Sequence, residues 1–424
     1  MTAAAPPPVP VDGPSAVDGP RALAEPAVPV RPRWVALLVV ANLAVWMGFF
    51  TPIQVLLPQQ IELIDPARKE TMLGWVTGLG ALAAVIANPL AGALSDRTTG
   101  RFGRRHPWTF GGGLLGAAAL ALLATQHTIA GVAVGWIAAQ VCFNAMLASL
   151  TAAVPDRVPV GQRGAVSGWI GIPQVLGVVL GTALVTVLVH GNAAGYLAVA
   201  VVVAVLTVPF PLSTVDDPLD ATDRPPLGLR RFWVSPREHP DFAWAFGTRF
   251  LVQLGNALGT LYLLYFLTDR VHYPQPENGL LILILIYTAA LIATTVLAGR
   301  HSDRTGRRKP LVIASGLVMT VAAVLLAVAP VWPAVMLAAA VLGAGYGIYL
   351  AVDAALITQV LPAVGDRAKD LGVVNIANSA PQVMAPALAA PIVHSLGGYP
   401  ALYLLTAAVT VLGGVFVYRI RSIA

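Results

Sequence analysis

Apolar residues gather along this chain in long runs separated by short polar connections, and within the runs they do not alternate with polar ones. A helix needs about 20 residues to cross a hydrocarbon layer about 30 Å thick. Twelve stretches reach that length: about 34–57, 71–94, 108–126, 128–154, 164–189 and 193–212, then about 242–268, 278–298, 310–330, 332–361, 371–396 and 399–418. Strands of a membrane barrel would show ten-residue segments of strict alternation, so the pattern predicts an all-α membrane protein with 12 transmembrane helices. Pro89, Pro173, Pro381 and Pro386 fall inside runs, which is tolerated where neighbouring helices satisfy the freed carbonyls.

Composition agrees with lipid as the solvent: 57% of the residues are hydrophobic and 11% charged, against roughly 25% charged in a soluble domain. The formal charge of +6 would suit a nucleic-acid partner, but the cations sit in short clusters between apolar runs, so none is expected. With the N-terminus in the cytoplasm, the 26 lysines and arginines all fall on the cytoplasmic side except Arg68, Lys69 and Arg270 outside and Arg249 within a run. That bias predicts a multi-pass protein of the plasma membrane with both termini cytoplasmic. Cys142 is the single cysteine and lies in an apolar run, which excludes a disulfide framework and a multi-thiolate metal site.

Residues 1–33 are rich in Pro, Ala, Val and Gly and read as a disordered cytoplasmic tail. They do not read as a cleaved signal, because the apolar stretch from Trp34 is long enough to span a bilayer. Residues 213–241 carry Asp216, Asp217, Asp220 and Asp223 with several prolines and form a cytoplasmic linker. It separates residues 34–212 from 242–418, and 419–424 form the cytoplasmic C-terminus.

The two halves are related. Gly92-Ala-Leu-Ser-Asp96-Arg97 recurs as Gly299-Arg-His-Ser-Asp303-Arg304, and Pro155 maps at the same offset onto Pro362. Gly161, Arg163, Gly168 and Pro173-Gln174-Val175 are echoed by Gly365, Arg367, Gly372 and Pro381-Gln382-Val383. Two pseudo-symmetric six-helix bundles related about the membrane normal fit this order.

On these residues the chain resembles the major facilitator superfamily, whose signature between spans two and three reads G-x-L-x-D-R-x-G-R-R and returns more weakly between spans eight and nine. The second copy here, Ser302-Asp303-Arg304-Thr305-Gly306-Arg307-Arg308-Lys309, has the usual spacing. The first, from Asp96-Arg97 to Gly103-Arg104-Arg105, has four extra residues and is similar to the loop of sucrose–proton and glycoside–cation symporters. The resemblance implies the major facilitator fold and a cytoplasmic gate formed by Gly92, Asp96, Arg97, Arg104, Arg105, Gly299, Asp303, Arg304, Arg307 and Arg308. On cation count alone these residues serve equally to orient the chain, but orientation does not require an acid at one place in each half.

A charge at the bilayer centre costs about 2.5–3.5 kcal/mol on insertion scales, so Arg249 in span seven and Asp353 in span ten stand out. Asp353 lies nine residues before Pro362, and Arg249 eight after Asp241, which places both roughly 12–13 Å from the cytoplasmic side at the helical rise. The resemblance sets spans one, four, seven and ten around a central cavity, which makes Arg249 and Asp353 a candidate ion pair, for proton coupling or for structure. Helical spacing adds further polar faces: Gln253 and Asn256 with Arg249, Tyr346 and Tyr349 with Asp353, Asn375 with Asn378 and Gln382, Gln140 with Asn144, and Asn42 with Trp46 and Gln54. Each stripe alone would also serve helix–helix hydrogen bonding. Together they suit a wet midplane cavity for a small polar solute such as a sugar.

Spans two and four hold no carboxylate, so a sodium site like that of glycoside–cation symporters is not expected there. Gly168, Gly171, Pro173, Gly177 and Gly181 in span five suit close packing or, less directly, a proton-driven exporter. His127, His190, His272 and His394 fall near outer span ends as interfacial groups. No G-x-x-x-x-G-K-[ST] loop exists and the spans lack an acid–histidine cluster, so neither self-contained ATP-driven transport nor an enzyme is expected, and no cofactor or metal. The expectation is a monomeric secondary transporter working by alternating access, with a small-molecule solute, a coupling proton and the lipid bilayer as partners. A drug or metabolite exporter of the same fold is the alternative, and a non-transporting sensor a weaker one.

Overall fold

The computed structural model describes residues 26–220, 222, 239–360 and 367–421; it gives backbone alone at 160, 161, 164, 165, 167, 303, 354–360, 367–376, 378, 379, 382 and 383. The tail at 1–25 and most of the 213–241 linker lie outside the described residues, as do the side chains of Asp303, Asn375, Asn378 and Gln382.

Among the described residues the long helices follow the apolar runs. The first, α1, runs Pro32–Thr51 and continues through a π turn, Pro52–Leu56, into Leu57–Ile64. It is followed by α2 Lys69–Asp96, α3 His106–Leu123, α4 Ile129–Arg157, α5 Val160–Ala183 with a π turn at Leu184–Leu188, and α6 Asn192–Thr207. After the linker come α7 Pro240–Leu261, extended by Leu263–Asp269, then α8 Pro276–Thr305, α9 Lys309–Val328, α10 Trp332–Val360, α11 Arg367–Ser395 and α12 Gly398–Phe416.

Ten helices are long and apolar enough to cross a membrane among the described residues, against the twelve runs of the sequence. The two others have identifiable differences. α3 opens on His106, Pro107 and Trp108, with three glycines soon after, which dilute an 18-residue helix; α11 spans Arg367–Ser395 with three prolines inside it, and its side chains are described in full only from Met384 onward. Large apolar side chains such as Trp75, Leu115, Val201, Leu297 and Val321 face outward, the surface a lipid solvent requires.

Local chemistry sets the helix ends. Proline in the first turn of α1, α3, α7, α8 and α9 sits where the missing N–H costs nothing. Thr128 caps α4 by accepting from the Gly131 N–H at 3.1 Å. α8 stops at Gly306, whose left-handed φ of +67° places its N–H on the Ser302 carbonyl at 2.8 Å.

α1 packs on α5 and α6, α2 and α3 on α4, and α3 on α6; in the second half α8 and α9 pack on α10, and α12 on α7 and α9. Sustained contact between the first six helices and the last six runs through α2 against α11, and to a lesser degree α5 against α8. Glycines set the closest approaches. A Cβ on Gly177 of α5 would stand 2.7 Å from Trp46 Cβ of α1, and one on Gly343 of α10 would stand 2.2 Å from the Tyr287 carbonyl of α8.

Candidate functional site

Among the described residues, polar clusters interrupt the apolar interior. The first joins α7, α8 and α10. Arg249 Nη1 of α7 lies 3.1 Å from Asp353 Oδ2 of α10, with side-chain exposures of 16% and 9%. Tyr349 Oη donates to the other Asp353 oxygen at 2.5 Å, so each carboxylate oxygen has its own donor. Tyr346 lies one turn back from Tyr349; the rings stack at 6.2 Å between centroids, and Tyr346 Oη donates to Gln253 Oε1 at 2.6 Å. Asn256, one turn beyond Gln253, accepts from Tyr287 Oη of α8 at 2.9 Å.

Helical spacing builds this cluster. Arg249, Gln253 and Asn256 share one face of α7, and Tyr346, Tyr349 and Asp353 one face of α10. Tyr287 was not identifiable from the sequence, because a lone tyrosine in an apolar run has no helical partner to mark its face. It reaches the site because Gly343 and Gly347 bring α10 against the α8 backbone, where Thr294 Oγ1 donates to the Ala344 carbonyl at 3.1 Å and Thr295 Oγ1 to that of Gly347 at 3.0 Å.

The second cluster contains amides alone. Asn88 Nδ2 of α2 donates to Asn144 Oδ1 of α4 at 3.3 Å, and Asn144 Nδ2 donates to Gln140 Oε1 at 3.1 Å and to the Gln140 carbonyl at 2.9 Å. Asn88 was absent from the sequence expectation. On α1, Asn42 is buried and donates to the Leu38 carbonyl at 2.8 Å, while Trp46 stacks on Phe50 at 5.5 Å and packs on α5. Gln54 lies in the π turn. Such a turn bonds i to i+5 and rotates the residues after it off the face set by Asn42 and Trp46.

At the opposite ends of α2 and α3 the first signature copy forms an ionic cluster. Arg105 donates from Nη2 to Asp96 at 2.5 Å, from Nε to Asp156 at 2.7 Å and from Nη1 to Ser95 Oγ at 3.0 Å. Arg104 shares Asp156 at 3.0 Å. Burial opposes the charge on Arg105, but Asp156 and Asp96 outweigh it and hold the guanidinium above its usual pKa. Asp216 accepts from the backbone N–H groups of Arg105 at 2.5 Å and His106 at 3.0 Å, capping α3. Asp217 pairs with Arg157 at 2.6 Å.

The four extra residues of this copy lead into a turn at Gly103, whose φ is +82° and where a Cβ would collide with the Asp216 carboxyl carbon. These contacts of the first copy therefore tie α2, α3, α4 and the start of the linker to one another. In the second copy Thr305 and Gly306 end α8, Thr305 Oγ1 accepts from the Arg307 N–H at 3.4 Å, and Arg304 and Arg307 are exposed. Gly92 and Gly299 have open space where a Cβ would project.

The sequence profile of the Major Facilitator Superfamily matches residues 35–285 and 245–423. The chain belongs to the major facilitator superfamily. As a member it is a multi-pass membrane transporter and not an enzyme. The general alpha-glucoside permease of Schizosaccharomyces pombe (strain 972 / ATCC 24843) is 31% identical over 135 residues, which span 27% of this chain and 24% of that permease. Among solved structures, the nucleoside transporter NupG superposes with a TM-score of 0.69 at 15% identity, over 92% of this chain and 98% of that one. The peptide transporter POT gives 0.74 at 13% identity over 92% and 96%, and the human organic anion transporter MFSD10 (TETRAN) gives 0.67 at 17% over 92% and 100%. At these identities the superpositions establish the fold alone.

Proposed function

We propose that this protein is a secondary active transporter that moves a small polar solute, a sugar or glycoside by preference, by alternating access coupled to a proton. The reading takes residues 34–212 and 242–418 as two like bundles of six spans each, joined by the 213–241 linker, with both chain ends in the cytoplasm and the protein in the plasma membrane. The doubled signature and the charge bias support this arrangement.

One observation carries the functional reading: the buried Arg249–Asp353 pair with Tyr349, Tyr346 and Gln253 around it. A proton on Asp353 cancels its charge and frees Arg249 for a solute oxygen, so proton and solute bias the same pair of helices. Hydroxyl, amide and aromatic groups in one region match the chemistry of a polyhydroxylated solute. Gln140 and Asn144 of α4, with Asn375, Asn378 and Gln382 of α11, supply further amides in this reading, and the short alpha-glucoside permease match favours the glycoside class.

Purified protein in liposomes, given an inward proton gradient and a panel of glycosides, nucleosides and cationic drugs, tests the reading. Glycoside accumulation that collapses with the gradient and is lost in Asp353→Asn is the expected result. Drug extrusion against the proton flow would replace it with an exporter, and gradient-driven uptake intact in Asp353→Asn would remove the coupling role.

A further inference from the structure

Lys69, the first residue of α2, holds two carboxylates at once while its side chain is 10% exposed. Its Nζ lies 2.8 Å from Glu62 Oε1, near the end of α1, and 2.8 Å from Asp269 Oδ1, at the end of the α7 extension. Glu62 belongs to the first six helices and Asp269 to the last six. The second Asp269 oxygen accepts from Tyr399 Oη, at the start of α12, at 2.9 Å. Tyr265 lies under the cation, its ring centroid 4.8 Å from Nζ.

The same end carries three more bonds between the two sets of helices. Tyr265 Oη donates to the Pro58 carbonyl at 2.9 Å, Tyr262 Oη to the Glu70 carbonyl at 3.0 Å, and Gln59 Nε2 to Glu277 Oε1 at 3.2 Å. A Cβ on Gly74 would lie 2.5 Å from Ala390 Cβ of α11, so the backbones of α2 and α11 are nearly in contact there.

We propose that Lys69 is the shared cation of a latch that closes the end of the molecule opposite the Ser-Asp-Arg loops, and that Glu62 and Tyr399 are resting partners built in for the open state. The inference rests on the alternating-access reading above. Breaking a buried ion pair is costly chiefly when it leaves a charge without a partner. Here the rupture of Lys69–Asp269 leaves the lysine on Glu62, in its own half, and the aspartate on Tyr399, in its own half. The phenols of Tyr262 and Tyr265 exchange backbone carbonyls for water as the gap fills. The latch therefore opens without orphaning either ion. The two acids have opposite effects: Asp269 stabilises the closed end, whereas Glu62 stabilises the lysine once the end has opened.

Spin labels on Leu63→Cys and Leu396→Cys, in a Cys142→Ser background, report the separation across this end, because both leucines are exposed and one belongs to each set of helices. Asp269→Asn keeps an acceptor for Tyr399 and is expected to raise the ratio of long to short distances about fivefold, the effect of roughly 1 kcal/mol. Glu62→Gln is expected to shift the ratio the other way, since Asp269 becomes the one remaining acid on Lys69. Shifts in the same direction, or no shift in either variant, would overturn the latch. Wild-type protein that transports and shows both distances while the two variants fail to diverge retains the transporter reading and loses the latch. A single distance under every gradient and solute, with no transport, removes both.

Discussion

A guanidinium and a carboxylate held inside a helical protein stabilise it little as a pair, because attraction only offsets the loss of their hydration. Removing one partner is different. Asp353→Asn leaves Arg249 beside a neutral amide and is expected to cost about 3 kcal/mol, the lower end of the range for broken buried pairs, because Arg249 keeps 16% of its side chain exposed. Thermal unfolding in detergent measures this. The double replacement Arg249→Met with Asp353→Leu is expected to return to within about 1 kcal/mol of wild type, with transport still absent. A double variant that transports normally would show that the pair serves packing alone.

Gly103 belongs to the same scale. Its φ of +82° and the Asp216 carboxyl 2.3 Å from a Cβ site make Gly103→Ala destabilising by about 1–3 kcal/mol, read as a lowered melting temperature. Gly299→Ala, with nothing within 4 Å, is expected to stay within about 0.5 kcal/mol of wild type. The charges in the middle of apolar runs were legible from sequence, since an ionisable residue amid twenty apolar ones has no ordinary explanation. Asp216 and Lys69 were not: a charge near the end of a run is usually solvated, and only the fold reveals that one caps α3 and the other bridges two helix ends.

At the scale of the element, the apolar runs located the helices to within a few residues in most cases. α1 departs further: the apolar run ends near residue 57, whereas the chain turns through a π segment at Pro52–Leu56 and continues to Ile64. Proline tolerates this when the wider turn removes the bond it would block. Asn192 Nδ2 then donates to the Leu56 carbonyl at 2.7 Å. The approach of α8 to α10 was equally hidden, since glycine in a membrane run marks close contact without naming the partner. Gly343→Val, which forces a branched side chain toward the Tyr287 carbonyl at 2.2 Å, is expected to separate α8 from α10, misplace Tyr287 and abolish transport. Wild-type transport by that variant would show that the Tyr287–Asn256 bond is dispensable.

For the whole molecule, the repeat legible in the sequence holds two different structures. The second signature copy ends its helix on Gly306, whereas the first spends its four extra residues on a turn that brings Arg104 and Arg105 to Asp156 and the chain after α6 to the head of α3. Among the described residues, the charged interior cluster lies on α7, α8 and α10, while the bond between α2 and α4 is made by amides. On the proposed reading, the proton is taken on the α7–α10 side and neutral groups of the solute are read on the α2–α4 side. Its central requirement is that the solute site faces one side of the membrane at a time. Counterflow tests that most directly: liposomes preloaded with unlabelled glycoside are diluted into a trace of labelled glycoside with no ion gradient. The account predicts a transient overshoot of label above equilibrium, whereas a monotonic rise to equilibrium would contradict it.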